Sequence, residues 1–173
     1  MTISKENKKI NVEFSQKINS SINSVWKAIS EPENLNNFHP FCKQNKVVNW
    51  EKERSEDTIE YNNGSTLHRK FKSWNEGLGY ELIIEKNNIQ FANVIWKIKS
   101  IQNNSCSISI QIQLFYFIIL NNYPKFLRQF IAKYFLKPIM KNYLKSVLFG
   151  LKFFVEENSI VQKNQFGKNR LFS

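Results

Sequence analysis

A histidine and a cysteine stand three residues apart in the stretch His39-Pro40-Phe41-Cys42. An imidazole beside a thiol is half the donor set of a zinc site, and it is also the pairing of a nucleophile with its base. The same stretch is typical of a rigid corner between a helix and a strand, because Pro40 ends a helix and biases His39 toward an extended backbone. Whether this stretch supplies reactive side chains or only a structural corner depends on the elements around it.

A zinc site would need four converging ligands, and the histidines and cysteines of the chain are His39, Cys42, His68 and Cys106. His68 and Cys106 fall on two different predicted strands, far in sequence from the first pair. The sequence also has no locally supported Ser-His-acid or Cys-His-Asn set and no glycine-rich phosphate loop. We therefore expect no metal and no other cofactor, and no catalytic residue can be named.

Composition favours a single folded domain spanning residues 1–173. Hydrophobic residues make up 42% of the chain and include fifteen Phe, six Tyr and four Trp. Five Gly and four Pro argue against a low-complexity chain. The apolar content is sufficient both to fill a core and to line a cavity.

The net charge of +11 is concentrated late in the chain, because residues 121–173 carry ten Lys and Arg against two Glu. Such a segment suggests a nucleic acid, an anionic membrane or an acidic partner, and it is equally typical of a solvated helix face. Residues 1–10 are polar and contain no secretory signal, and no apolar run approaches the roughly 20 residues of a membrane span. We expect a cytoplasmic protein, with peripheral membrane contact as an alternative.

The first elements are a strand and two short helices. Residues 11–18 alternate between polar and apolar side chains, which predicts a half-buried strand. Ser20 and Ser21 supply an N-cap for a helix with apolar residues at helical spacing, and Pro32 ends that helix. Residues 34–38 predict a second short helix.

A series of strands follows, joined by short turns such as Asn62-Asn63-Gly64. Short joins predict hairpins and hence an antiparallel meander, which the first strand completes at one edge. The predicted strands lie near 43–51, 57–62, 65–74, 78–86, 90–101 and 106–120.

After Asn122 the apolar period changes to that of a helix. Residues 123–136 predict one amphipathic helix, interrupted near Pro138, which begins a longer helix reaching about Glu157. The predicted architecture is α+β: a seven-stranded curved antiparallel sheet wrapped around the long C-terminal helix, with a cavity where the sheet curls away from it.

Several stretches resemble a known superfamily. The opening "VEFSQKINSSINSVWKAISEPENLNNFHPFC" is similar to that of START/aromatic-cyclase (SRPBCC) proteins. The stretches "RKFKSWNEGLGYELIIE", "VIWKI" and "NQFG" are similar to its bacterial polyketide cyclase-like branch. The resemblance covers essentially the whole chain and implies the helix-grip (START-like) fold, although the helix 123–136 is an addition to the family pattern. It also implies an internal cavity for a hydrophobic small molecule or a lipid.

Three functions follow from this reading. The first is binding of such a molecule, with transport as an extension, and the second is a polyketide cyclase- or dehydratase-like reaction in the same cavity. The third is a partner-binding module whose interior is filled by side chains. The phase of the strands and of the long helix predicts the cavity walls, which are Gln16, Arg69, Phe71, Tyr80, Leu82, Trp96, Ile112, Tyr143 and Val147. We expect Phe38, His39 and Phe41 at the cavity entrance.

Arg69 is predicted to point inward, because it shares its phase with Leu67 and Phe71. A buried guanidinium needs an anionic partner. The partner is either the carboxylate, phosphate or enolate of a ligand or an internal ion pair with Glu60 or Glu81. A slipped strand register would instead leave Arg69 in water.

The helix 123–136 combines apolar side chains with the basic residues Lys125, Arg128 and Lys133, as an interfacial helix does, and Phe126 and Phe130 are its foremost aromatic candidates. It would dock on an anionic membrane, form a homodimer, or cover Phe115, Phe117 and Ile119 on the last strand. We expect no nucleic acid partner, since the aromatic residues form an apolar stripe without a recognised binding motif.

Overall fold

The sheet that holds the molecule together is fully antiparallel. The structure, a computed structural model, describes residues 8–102 and 104–173. Within them, seven strands lie in the order β1-β7-β6-β5-β4-β3-β2. The strands are β1 (Ile10–Ile18), β2 (Cys42–Asn49), β3 (Glu56–Tyr61), β4 (Thr66–Asn75), β5 (Gly79–Lys86), β6 (Ile89–Gln102) and β7 (Ser105–Leu114).

Helices close the concave face of this sheet. The first two are α1 (Ile22–Ser30) and α2 (Leu35–Phe38), and Ser21 caps α1 by accepting a hydrogen bond from the Ser24 N–H. The long helix α5 (Lys137–Glu157) lies across the sheet and buries Leu144, Val147, Leu148 and Leu151. The predicted fold class, a seven-stranded curved sheet around a long helix, is confirmed. Residues 1–7, part of the segment expected to contain no secretory signal, lie outside the described residues.

The last strand is shorter than predicted. β7 ends at Leu114, and residues 116–119 form a single helical turn, α3 (Tyr116–Ile119), instead of continuing the strand to residue 120. The sequence 115–120 is apolar in both strand phases, so it has no side to present to water as a strand. As a helical turn it buries Tyr116 and Leu120 and leaves Phe117 half-buried against the core.

Pro138 does not break the C-terminal helical segment. α4 (Lys125–Ile131) runs through a π-helical stretch, Ala132–Leu136, directly into α5. Proline has no N–H, and its ring displaces the carbonyl group four residues earlier. The wider π-helical turn accommodates this defect just before Pro138, so the predicted interruption becomes a continuous helix.

α4 covers Phe115, Phe117 and Ile119 only in part. These residues do not lie on a strand, and none of the seven residues of α4 is buried, although Ile131 packs against the core. The cations of Lys8 and Arg128 flank the Phe117 ring, 4.8 and 4.9 Å from its centroid. The other apolar side chains of α4, Phe126, Leu127 and Phe130, remain exposed.

Helix α5 approaches α2 most closely at Gly150. A Cβ atom on Gly150 would lie 2.1 Å from the Phe38 carbonyl oxygen and 3.3 Å from Cδ of Pro40. The absence of a side chain at this position is therefore what lets the corner at residues 38–40 rest on the helix.

We expect Gly150→Ala to destabilise the protein by at least about 2 kcal/mol, because a backbone collision outweighs the gain of about 1 kcal/mol in helix propensity. Urea unfolding measures the difference. Asn142→Ala, at an exposed site on the same helix, is the matched control and should be neutral or stabilising. A Gly150→Ala variant as stable as this control would contradict the proposed close contact.

Candidate functional site

Two adjoining spaces lie between the sheet and α5. The inner space has a volume of about 40 Å³ and is bounded by β3 to β7, α2 and α5. The outer space has a volume of about 200 Å³ and lies toward α3 and the start of α5. Four residues line both spaces, which are Tyr61, Ile84, Ile112 and Tyr143.

Most of the predicted wall residues are found at the inner space. Its lining includes Arg69, Leu82, Trp96, Ile112, Tyr143 and Val147. His39 also belongs to this wall and is 5% exposed, so it is a buried wall residue and not part of an entrance. The structure thus brings together side chains from β3 to β7, α2 and α5.

Several predicted site residues lie elsewhere. Gln16 borders a surface groove beside the end of α5, because β1 is an edge strand of the sheet, and it donates to the Lys17 carbonyl. Phe71 and Tyr80 lie within an aromatic cluster with Trp50 and Trp74. None of these three residues lines the inner or the outer space.

Phe38 and Phe41 do not form an entrance either. Both are buried in the core, at 0% and 1% exposure. Phe38 packs edge-on against Trp96, and Phe41 stacks on Tyr143. The corner predicted at residues 38–41 is present, and its aromatic side chains serve packing.

Arg69 is paired inside the protein. Its Nε donates to Asp57 Oδ1 at 2.6 Å, and its Nη2 donates to Asp57 Oδ2. Both side chains are buried, and β3 and β4 place the two residues directly opposite each other. Burial alone would lower the pKa of Arg69, but the charge and hydrogen bonds of Asp57 outweigh burial and raise it.

The internal ion pair was expected with Glu60 or Glu81, and the choice of partner was wrong. Glu60 lies in the opposite phase of β3 and pairs with Lys43 at the surface. Asp57 shares its phase with Ile59 and Tyr61, which are both buried. The alternation on β3 was the signal that would have placed both Asp57 and Tyr61 in the interior.

A chain of hydrogen bonds begins at the corner and ends at the boundary of the two spaces. The Phe41 N–H donates to His39 Nδ1 at 3.2 Å, so the proton of the neutral ring lies on Nε2. Nε2 then donates to the Tyr143 hydroxyl at 2.9 Å, and the hydroxyl groups of Tyr143 and Tyr61 share a hydrogen bond of 3.1 Å. When Tyr143 is the donor of this bond, the Tyr61 proton is available to a ligand.

Burial keeps the side chains of His39, Tyr143 and Tyr61 neutral. It lowers the pKa of His39 to about 3, with a smaller contribution from the positive charge of Arg69. It also raises the pKa of Tyr61 to about 12 and that of Tyr143 well above its usual value. These three rings therefore offer hydrogen bonds, not charge, to whatever enters the site.

Cys42 does not form a reactive pair with His39. Its Sγ contacts Asn36 Oδ1 at 3.8 Å, and burial raises the pKa of the thiol to about 12. A thiol in this state is a poor nucleophile at neutral pH. Among residues 8–102 and 104–173, no three His, Cys, Asp or Glu side chains are placed to hold a metal ion.

The last residues of the chain form one wall of the outer space. The Phe172 ring lies 4.4 Å from the ring of Tyr61 and 4.6 Å from that of Tyr143, measured between centroids. Asn169 holds this segment by donating from its amide to the Ile139 carbonyl. Phe172 thus covers the two tyrosines from the side opposite the inner space. The sequence analysis missed it because the residue follows a polar stretch with no periodicity.

The similarity of this protein to known proteins lies in its three-dimensional structure. No protein-family model and no curated protein matches the chain. A Staphylococcus aureus protein of unknown function superimposes with a TM-score of 0.70 at 12% identity, over 87% of this chain and 95% of that one. The di-domain ARO/CYC StfQ of the steffimycin biosynthetic pathway gives a TM-score of 0.67 at 10% identity, over 89% of this chain and 53% of StfQ.

The Aha1 dimer from Colwellia psychrerythraea gives a TM-score of 0.59 at 11% identity, over 85% of this chain and 96% of that one. The chain has a START-like helix-grip fold. The resemblance to START/aromatic-cyclase proteins is thereby confirmed for the fold, which hosts different functions in different proteins. In the described part of this helix-grip domain, no helix is both long enough and apolar enough to cross a bilayer.

We expect Asp57→Ala to destabilise the helix-grip domain by about 3–5 kcal/mol, because it leaves the Arg69 guanidinium buried without a partner. The double variant Asp57→Leu/Arg69→Met should recover most of this loss, since it removes both charges. Lys43→Ala, which breaks an exposed ion pair, is the control and should cost less than about 1 kcal/mol. Equal destabilisation of the single and double variants in urea would argue against an isolated buried charge.

The domain should also lose stability in mild acid because of His39. Below pH 6.5 an unfolded chain protonates this histidine, whereas the folded protein resists until about pH 3. The contribution is therefore fully present above pH 6.5 and declines as the pH falls from 6.5 toward 3. Between pH 7 and pH 5 we expect a loss of roughly 2 kcal/mol from this residue.

Urea unfolding of His39→Gln at both pH values tests this expectation. Glutamine retains a donor for Tyr143 and does not titrate, so the variant should lose less stability than the parent between pH 7 and pH 5. An unchanged pH dependence in His39→Gln would show that His39 is not held neutral.

Proposed function

We propose that this protein binds a hydrophobic small molecule or a lipid between the sheet and α5. The observation that carries the proposal is the pair of adjoining spaces, which share four lining residues. Apolar side chains such as Leu67, Phe91 and Met140 form most of the outer wall. An apolar site between a curved sheet and a helix, with few polar groups, is typical of small-molecule binding.

The size of the two spaces indicates how a ligand would enter. The inner space is about the volume of one water molecule, and the outer space is smaller than the roughly 300–1,000 Å³ of ordinary ligand pockets. A ligand of ordinary size must therefore move Phe172 or join the two spaces by displacing Tyr61 and Tyr143. Phe172 is the more accessible of these rings, because it is half-buried and belongs to a segment without helix or strand.

The polar groups favour a neutral ligand with a hydrogen-bond acceptor. Asp57 already neutralises Arg69, so this guanidinium is a weaker anchor for a carboxylate than a free one would be. The Tyr61 hydroxyl is the donor that the hydrogen-bond chain leaves for a ligand. A carbonyl or hydroxyl oxygen on an otherwise apolar molecule matches this arrangement.

The same hydrogen-bond chain supports a second candidate, a cyclase- or dehydratase-like reaction. A preorganised donor in a water-poor site stabilises negative charge that develops on a carbonyl oxygen. Tyr61, held by Tyr143 and His39, would supply that donor, and StfQ is described as an ARO/CYC protein of a biosynthetic pathway. The third candidate, a partner-binding module, is favoured by the small volume of the inner space alone.

Two fluorescent probes test the binding site. Prodan carries a ketone, whereas N-phenyl-1-naphthylamine carries no oxygen acceptor. We expect Phe172→Ala to strengthen the binding of both probes, because it opens the outer space. Tyr61→Phe should weaken prodan roughly threefold to tenfold and leave the second probe nearly unchanged, which corresponds to one neutral hydrogen bond.

Tyr134→Phe is the matched control, since it removes the hydroxyl group of an exposed tyrosine outside the site. Native mass spectrometry of the purified protein provides an independent measurement of a co-purifying ligand. A bare mass, together with no saturable probe binding by the parent or by Phe172→Ala, would refute the binding proposal. If Tyr61→Phe weakened the binding of both probes equally, the Tyr61 hydroxyl group would not be the donor to the ketone.

A further inference from the structure

The aromatic side chains of α4 and the π-helical stretch form a cluster that the protein does not bury. We define the aromatic face as Phe126, Phe130, Tyr134 and Phe135. Phe126 is 80% exposed, and the other three are more than half exposed. The rings of Phe130 and Tyr134 lie 4.8 Å apart, and those of Phe130 and Phe135 lie 6.1 Å apart, so they form one continuous surface. Exposed apolar patches of this kind mark interaction sites.

Lysines surround this face, and acidic residues are missing from it. Lys125, Lys133 and Lys137 are exposed, and the Lys133 Nζ lies 5.3 Å from the centroid of the Tyr134 ring. The sequence has no Asp or Glu between Glu85 and Glu156, and so none in the helices that carry the face. A partner must therefore be both apolar and negatively charged.

Arg128 fixes the orientation of the aromatic face. Its guanidinium donates to the carbonyl oxygens of Tyr123 at 2.7 Å, Asn121 at 2.6 Å and Phe117 at 3.3 Å. These contacts join α4 to the turn that follows α3. Three of the five guanidinium N–H donors are thereby used to hold α4 in position, and the docking role of Arg128 stays a prediction.

Residues of the π-helical stretch Ala132–Leu136 face two different environments. Ala132 and Leu136 point inward and are buried, whereas Tyr134 and Phe135 point outward. Leu136 also lines the outer space. The aromatic face and the wall of that space are thus carried by neighbouring residues of one helix.

We propose that the aromatic face docks on the surface of an anionic phospholipid bilayer. Aromatic rings partition to the interface between headgroups and acyl chains, and lysines beside them are attracted by anionic headgroups. A second copy of the chain fits less well, since the lysines of the two faces would repel each other. This inference goes beyond the proposed ligand binding and does not depend on it.

Co-sedimentation with vesicles tests the proposal. One set consists of phosphatidylcholine alone, and the other contains 30% phosphatidylglycerol. We expect at least tenfold stronger binding to the anionic vesicles, and weakening as salt is added, because the attraction is partly electrostatic. Phe126→Ser/Phe130→Ser and Lys125→Glu/Lys133→Glu should each reduce the binding to anionic vesicles at least tenfold.

Matched controls separate the face from general surface properties. Lys97→Glu/Lys99→Glu makes the same change in net charge on exposed residues of β6, and Val48→Ser/Ile160→Ser removes two other exposed apolar side chains. Both controls should bind within about twofold of the parent. All substituted residues are exposed, so thermal unfolding should show that every variant is folded.

Three results would overturn the proposal. Equal binding to the two kinds of vesicle would show that the anionic lipid is not required. Equal losses in the controls would show that general surface properties such as net charge, and not the aromatic face, account for the binding. A dimer in light scattering that Phe126→Ser/Phe130→Ser dissociates, without binding of the parent to anionic vesicles, would assign the face to a second copy. Probe binding in the cavity can persist in each of these cases, so the two proposals fail separately.

Discussion

The buried pair of Asp57 and Arg69 is the constraint on which the interior depends. Side chains alternate along a strand, so a slip of one residue between β3 and β4 would bury Glu60 and expose Asp57. The direct pairing of Asp57 with Arg69 makes every such slip costly, because it would leave a buried charge without its partner. The correct register then places Ile59 and Tyr61 under α5. The ion pair thus contributes more to the specificity of the fold than to the chemistry of a ligand.

The sequence predicted those features that depend on periodicity. Alternation predicted six of the seven strands nearly to their ends, and helical spacing predicted α1 and the packing side of α5. The turn after β7 could not be found in this way, because residues 115–120 are apolar in every phase and fit a buried strand as well as a helical turn. The continuous helix through Pro138 was missed since a local rule for proline does not include the π-helical accommodation.

The site was predicted less completely than the fold, for a physical reason. Which inward side chain reaches a cavity depends on the curvature of the sheet and on neighbouring rings, neither of which is encoded in periodicity. Tyr80 and Trp96 both point inward and contact each other, yet only Trp96 borders the inner space. Tyr61 and Phe172 come from distant parts of the chain and meet only in the folded protein. At identities of 10–12%, the structural neighbours share the fold with this protein while most side chains differ, so the walls must be read in each protein separately.

The π-helical stretch Ala132–Leu136 carries one more residue per turn than the helices on either side of it. Successive residues of an α-helix are rotated by about 100° around the axis. Deleting a single residue from this stretch would therefore restore a regular helix and rotate α4 by about that angle relative to α5. The aromatic rings of α4 would then point in a new direction. A change of one codon in length, with no change in the rest of the chain, would be enough to redirect this surface.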